Sequence, residues 1–192
     1  FTFNALYCDP DGTLYDPFDG QKDLREGRVR FIGRASDRIA EDRLRILRFF
    51  RFYARFGTLP PDNEALSACT AAAGQITLLS GERVRGEILK LLAGPRAAEV
   101  MRLMSSAGIL RHTLEVATNL DRLDRLCDIE TRLNDASPVR RLAALLQDGD
   151  TQATVKVTER LRLSNAEAMR LERALAEKNL WPTPLLSPTE YQ

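Results

Sequence analysis

The stretch from Ile39 to Phe56 constrains this chain more than any other. At about 100° per residue, Ile39, Ile46, Phe49, Phe50, Tyr53 and Phe56 gather on one side of a helix, with Arg48, Arg51 and Arg55 roughly opposite. Such a helix needs neighbours on which to bury its aromatic side. Asp42 breaks the pattern. On the same helix its angle falls in the middle of the aromatic side, and Arg45, three residues on, stands at that side's edge and within reach of it. A carboxylate on an apolar face is costly unless something pairs with it. The Asp42/Arg45 pair is therefore the functional clue.

The rest of the chain divides around this helix. Residues 1–6 alternate and are rich in β-formers, which predicts a strand. Asp9-Pro10-Asp11-Gly12 is a turn signal, and Thr13-Leu14-Tyr15 reads as the return strand of a hairpin. Asp16 to Gly20 closes it. A short helical turn over 22–24 and a third strand over 29–32 follow. One hairpin and one short strand are marginal alone, so Phe1 is expected to be a truncation point within a larger sheet.

From Ser36 onward the pattern is helical. Ser36 or Asp37 is a suitable N-cap and Gly57 a suitable stop. Further helices are predicted over 62–78, 82–93 after Ser80, 96–107 after Gly94-Pro95, and 110–133 with breaks. Others cover 138–147 after Ser137, 151–161, and 165–178 behind a Ser164/Glu167 capping box. Asp148-Gly149-Asp150 reads as a turn, and the tail with Pro182, Pro184 and Pro188 as irregular. The expected fold is α+β but mostly α: a remnant hairpin over 1–33, a helical neck over 34–93 and a helical body over 94–192.

A net charge of +1 conceals segregation. Residues 25–55 carry Arg25, 28, 30, 34, 38, 43, 45, 48, 51 and 55 against Glu26, Asp37, Glu41 and Asp42. That stripe suits phosphate or RNA. Cys8, Cys69 and Cys127 lack metal spacing and read as reduced thiols, which points to a cytoplasmic protein. No apolar run is long enough to cross a membrane. His112 is the single histidine, with no matching nucleophile, and reads as structural.

An Asp carboxylate only accepts hydrogen bonds and an Arg guanidinium only donates. Side by side they offer an acceptor next to a donor. Cytosine presents its amino group beside N3, and adenine its amino group beside N1, so both fit. Uracil and guanine present the reverse order. Each unpaired buried polar group costs about 1–3 kcal/mol, enough to select C and A over U and G. Arg48 and Arg51 continue the three-residue step away from the base, where an Arg fork suits a phosphate tail. The alternative from spacing alone is an ordinary intrahelical ion pair.

Five stretches in order, Phe1 to Leu6, Asp16 to Gly20, Arg30 to Gly33, Glu41 to Arg45 and Glu82 to Leu92, together resemble the class II nucleotidyltransferases, the family of CCA-adding tRNA nucleotidyltransferases and bacterial poly(A) polymerases. Phe1-Thr2-Phe3-Asn4-Ala5-Leu6 looks like the end of their RRDFTxNAL motif. Asp16-Pro17-Phe18-Asp19-Gly20 resembles DPFGG, and Arg30-Phe31-Ile32-Gly33 resembles RFIG. Glu41 to Arg45 matches EDxxR, with Arg48 and Arg51 in the family's places. Glu82-Arg83 to Glu87 and Lys90-Leu91-Leu92 resemble ERxxxExxKLL. Asp19 departs from the first Gly of DPFGG, and Arg34-Ala35-Ser36 from a GDP-type turn.

The resemblance implies that Asp42 and Arg45 read the base and that Arg48 and Arg51 line the nucleotide pocket. It implies ATP and CTP as substrates and tRNA as partner, with poly(A) synthesis or a non-catalytic RNA-binding module as alternatives. The family's phosphate-binding GG motif, its Mg²⁺-binding DxD carboxylates and the RRD arginines would all precede Phe1. The chain alone is thus expected to choose nucleotides without turning them over, with no catalytic or metal residue of its own.

Overall fold

The computed structural model describes residues 1–58, 60–146 and 151–176. A 3-10 turn, Thr2–Asn4, leads to β1, Tyr7–Cys8, which pairs antiparallel with β2, Leu14–Tyr15. The hairpin turn is the one the sequence indicates. Gly12 N–H donates to the Asp9 carbonyl at 2.9 Å, with Gly12 at φ 90°. Neither residues 1–6 as a whole nor 29–32 form a strand. Their apolar side chains pack on helix side chains instead of aligning a sheet. The Phe1 ring lies 4.6 Å from Phe31 and 5.1 Å from Phe52, and Phe3 meets Phe52 edge-on at 5.1 Å.

The segment corresponding to DPFGG shows why its departure from the family pattern is tolerated. Asp19 adopts φ 57°, the left-handed region that glycine enters most easily and that Asp also visits. Helix α1, Gly20–Arg25, begins immediately after it. The Asp16 carboxylate accepts the Gly20 N–H at 2.6 Å and the Gln21 N–H at 2.9 Å, satisfying donors that a helix start leaves orphaned. Gly20 itself has no substitute, because a Cβ there would stand 2.5 Å from the Thr2 carbonyl oxygen. Buried Asp23 then binds Thr2 Oγ1 and Arg30 Nε, each at 2.6 Å, tying the first residues to this helix.

The helices follow in order: α2 Ala35–Glu41, α3 Arg45–Phe56, α4 Asn63–Ala71, a 3-10 turn Ala73–Leu78, α5 Gly81–Leu92 and α6 Ala97–Ser106. Then come α7 Ile109–Leu114, α8 Leu120–Leu133, α9 Pro138–Leu145, α10 Thr151–Leu161 and α11 Asn165–Ala176. The helix expected over 62–78 is thus α4, with Asp62 accepting the Ala65 N–H as N-cap, followed by the 3-10 turn. The predicted 110–133 helix breaks between α7 and α8 at Glu115, whose φ is 59°. The capping box holds, with Glu167 Oε2 accepting the Ser164 N–H at 2.8 Å. The turn at 148–150 and the proline-rich tail lie outside the described residues.

Helix α3 sits at the centre. Ile46, Phe49, Phe50 and Tyr53 are fully buried, while Phe56 is exposed at the helix end. Its neighbours include α5 and α6, and one continuous apolar core runs from Phe3 to Leu171. The expected boundaries at 33/34 and 93/94 fall in loops, yet that core crosses both.

Buried Arg141 on α9 shows how the layers are fastened. Its Nε donates to Glu130 of α8 at 2.5 Å, and its Nη1 to the Leu92 and Gly94 carbonyls at 2.7 and 2.9 Å. Those carbonyls close α5 and have no partner within the helix. Truncating Arg141 would leave two carbonyls unpaired and Glu130 held by Arg140 alone, whose Nε lies 2.6 Å from Oε1. Arg141→Ala is therefore expected to lower the unfolding free energy by about 2–4 kcal/mol. The exposed Arg28–Glu26 pair is a control, with Arg28→Ala costing under about 1 kcal/mol. Urea denaturation of both variants measures the difference.

Candidate functional site

The helix read through Asp42 is two helices. α2 ends at Glu41, and Asp42 is extended at φ −150°, ψ 106°. Its carboxylate accepts the Leu44 N–H at 3.1 Å, and its carbonyl accepts the Arg45 N–H at 3.0 Å. An Asp that hydrogen-bonds its own backbone two residues on competes with helix continuation. The aromatic side of α3 therefore never carries Asp42, and the cost inferred for a carboxylate there does not arise. Ile39, placed by the sequence on that same side, belongs to α2 and enters the common core from there.

The side chains also pair differently from the sequence expectation. Arg45 Nη1 donates to Glu41 Oε2 at 2.5 Å and to the Arg38 carbonyl at 2.7 Å. Asp42 pairs instead with Arg83 of α5, whose Nη2 lies 2.9 and 3.1 Å from its two oxygens. Arg48 and Arg51 do follow Arg45 along α3, and both turn toward Glu87, one turn beyond Arg83 on α5. Arg51 Nε is 2.5 Å from Glu87 Oε2, and Arg48 Nε is 3.6 Å from Oε1. The Arg51 guanidinium also lies 4.0 Å from the centre of the Phe52 ring. The Glu87 side chain is 8% exposed against 26% for Asp42, so the acid under the arginines is buried and the one at the helix break stays open.

Two carboxylates at the break are held in their charged form. The hydrogen bond from Arg45, helped by Arg38, keeps Glu41 below the usual glutamate range. For Asp42, partial burial pushes upward. The Leu44 N–H, Arg83 and the nearby charge of Arg48 outweigh it and leave the carboxyl below the usual aspartate range. Ionised Asp42 has about four acceptor positions, of which Leu44 and the two contacts of Arg83 take three. Arg45 engages only Nη1 among the described residues. An acceptor on Asp42 and donors on Arg45 thus remain at one helix break.

Comparisons with known proteins identify the family and the fold. Residues 59–120 match the family described as the probable RNA and SrmB-binding site of polymerase A. The CCA tRNA nucleotidyltransferase 1, mitochondrial, of Danio rerio is 36% identical over 170 residues, which is 86% of this chain and 38% of that protein. The CCA-adding enzyme of Geobacillus thermodenitrificans is 40% identical over 110 residues, covering 57% of this chain and 27% of that protein. The structure of the Bacillus stearothermophilus CCA-adding enzyme in complex with CTP superposes with a TM-score of 0.71 at 26% identity, over 96% of this chain and 46% of that one. The Thermotoga maritima CCA-adding enzyme complexed with tRNA shares the fold, with a TM-score of 0.69 at 22% identity. The chain belongs to the class II nucleotidyltransferase family that contains the CCA-adding enzymes, and it spans 38% of the length of its Danio rerio relative.

Arg83 and Glu87 are the residues that reasoning from the single helix missed. Their signal was the four-residue spacing within the ERxxxE segment, which puts both on one face of α5. Spacing cannot say which helix that face meets.

The charges predict a titration. Asp42, with its folded pKa depressed, contributes stability that is present above the ordinary aspartate pKa and lost as pH falls through the folded value. Arg83→Met is expected to raise the Asp42 carboxyl pKa, read from its side-chain carbonyl NMR shift against pH. An unchanged midpoint would mean that Leu44 alone holds the charge.

Proposed function

We propose that the protein containing this chain is a template-independent RNA nucleotidyltransferase that adds C and A, from CTP and ATP, to tRNA 3′ ends. In this reading Asp42 accepts the base amino group, Arg45 donates to the adjacent ring nitrogen, and Arg48 and Arg51 approach the triphosphate. The observation that carries it is the helix break. It leaves an ionised, part-exposed carboxylate at Asp42 and, at the first residue of the next helix, an arginine with unused donors that is paired to Glu41, on a scaffold shared with CCA-adding enzymes. Solved relatives in complex with CTP and with ATP support the nucleotide class, and one complexed with tRNA supports the acceptor.

Arg48 and Arg51 enter this reading from their pairing with Glu87. A phosphate would have to draw them from a carboxylate they already hold. An Arg fork exchanges one oxyanion for another without changing geometry. The exchange weakens tail binding relative to unpaired arginines, and it weakens it equally for all four nucleotides.

Phosphoryl transfer in this class uses Mg²⁺ to bridge and neutralise the phosphates. No group of three metal-ligating side chains exists among the described residues, so no step is assigned to a metal held by this chain. The three cysteines are unpaired thiols, which suits a reducing compartment such as the cytoplasm. Among the described residues no helix is long and apolar enough to cross a membrane.

The test uses the full-length protein and tRNA lacking its 3′ end. Two additions with CTP alone, and one A after them when ATP is present, mark CCA addition. Long A tails mark poly(A) synthesis, the alternative suggested by the polymerase A description of residues 59–120. No incorporation at all would favour a binding module. Asp42→Ala and Arg45→Ala are expected to lose about 1–3 kcal/mol of discrimination against UTP and GTP, together with rate. Arg48→Ala is expected to raise KM for every nucleotide by a similar factor.

A further inference from the structure

We propose that Arg83 is a positioning residue for base selection: from α5 it pins the Asp42 carboxylate in the orientation that distinguishes an amino group from a carbonyl. The inference rests on the reading of Asp42 as the base-amino acceptor.

Asp42 caps the end of α2, its N–H donating to the Arg38 carbonyl at 3.4 Å and its carbonyl accepting the Arg45 N–H at 3.0 Å, bonds that fix its backbone and leave the carboxylate to be held by other contacts. It is extended, at φ −150°, between the end of α2 and the start of α3. Two contacts hold its carboxylate. One is local, the Leu44 N–H on Oδ1 at 3.1 Å. The other crosses 41 residues, with Arg83 Nη2 on Oδ1 at 2.9 Å and on Oδ2 at 3.1 Å. With the local contact alone, the carboxylate keeps a pivot at Oδ1 and Oδ2 swings. With both, the plane is set and Oδ2 retains one free acceptor position.

That fixed plane is what selection requires. Rejecting uracil or guanine depends on opposing an acceptor to an acceptor at close range, and a carboxylate that can rotate away no longer imposes the repulsion. A fixed carboxylate also binds the amino group of C or A without the entropy cost of being ordered on arrival. Arg83 is suited to the task by its seat. It stands on the first turns of α5, a helix packed against α3, so its own backbone is rigid. One turn on, Glu87 meets Arg48 and Arg51 in the same way. A single face of α5 thus holds both halves of the candidate pocket. Both contacts to Asp42 come from one nitrogen, so a single ammonium at this position can reproduce them.

The experiment compares Arg83→Met, Arg83→Lys and Asp42→Asn in the full-length protein, with tRNA ending in the discriminator base as acceptor. Single-nucleotide incorporation is measured for CTP and UTP, with thermal melting as a check on folding. For Arg83→Met, the CTP-over-UTP preference in kcat/KM is expected to fall about tenfold, the effect of losing one charge-assisted hydrogen bond, with the melting temperature lowered only slightly, as for a part-exposed ion pair. Arg83→Lys is expected to restore most of that preference. If Asp42→Asn relaxes the preference and Arg83→Met does not, the positioning role is wrong and the base-reading role stands. If neither moves it, the base-reading role falls and this inference falls with it.

Discussion

Arginine side chains bonded to the last carbonyls of helices hold this structure together. The final turn of a helix leaves carbonyls without partners and carries the negative end of the helix dipole. Here an arginine from another element arrives at five such places. Arg96 binds the Gly57 carbonyl closing α3, and Arg160 binds the Leu79 carbonyl after the second 3-10 turn together with that of Ile76, which also accepts the Leu79 N–H. Arg141 closes α5, Arg122 donates to the Ala144 carbonyl of α9 at 2.7 Å, and Arg85 to the Arg162 carbonyl past α10 at 2.5 Å. Each contact spans at least 22 residues of sequence. Apolar packing alone is non-directional and leaves short helices free to slide. A guanidinium on a defined pair of carbonyls fixes both register and angle.

The same chemistry explains the basic composition around α3. A stripe of arginines reads at first as a surface for phosphate. Much of it is spoken for within the protein: Arg30 by Asp23, Arg38 and Arg45 by Glu41, Arg48 and Arg51 by Glu87. In the proposed reading, the part of the stripe that meets a ligand is narrower: the break at Asp42 with the unused donors of Arg45, and a pair of arginines shared with a buried acid. The rings of Phe49, Phe50 and Tyr53 on α3 are fully buried in the core that α5 and α6 help to cover.

Legibility followed the range of the forces involved. Although the N-cap expected at Ser36 or Asp37 is Arg34 and both residues lie within α2, several local signals were read correctly. The Asp9–Gly12 turn, the Asp62 N-cap, the stop at Gly57 and the Ser164/Glu167 box are of this kind. The stop at Gly57 is enforced further, because a Cβ there would meet the Tyr53 ring at 2.2 Å. The failures are at Asp42, at Glu115 and in the residues read as outer strands. Asp42 ends a helix through a hydrogen bond that no proline or glycine announces. The alternation in residues 1–6 and 29–32 was real, but period two reports only which side chains are inward. It does not report whether the neighbour is a strand or an aromatic helix.

By itself the sequence determined the order and approximate extent of most helices, the aromatic face of α3 and the family. All of these depend on spacing along the chain or on the identity of single side chains. Only the tertiary structure decided the partners: Arg83 for Asp42, Glu41 for Arg45, and Glu87 for both Arg48 and Arg51. The physical reason is that an ion pair is indifferent to sequence distance. An acid on one helix has many arginines it can satisfy, and the packing of α5 against α3 selects which of them it meets.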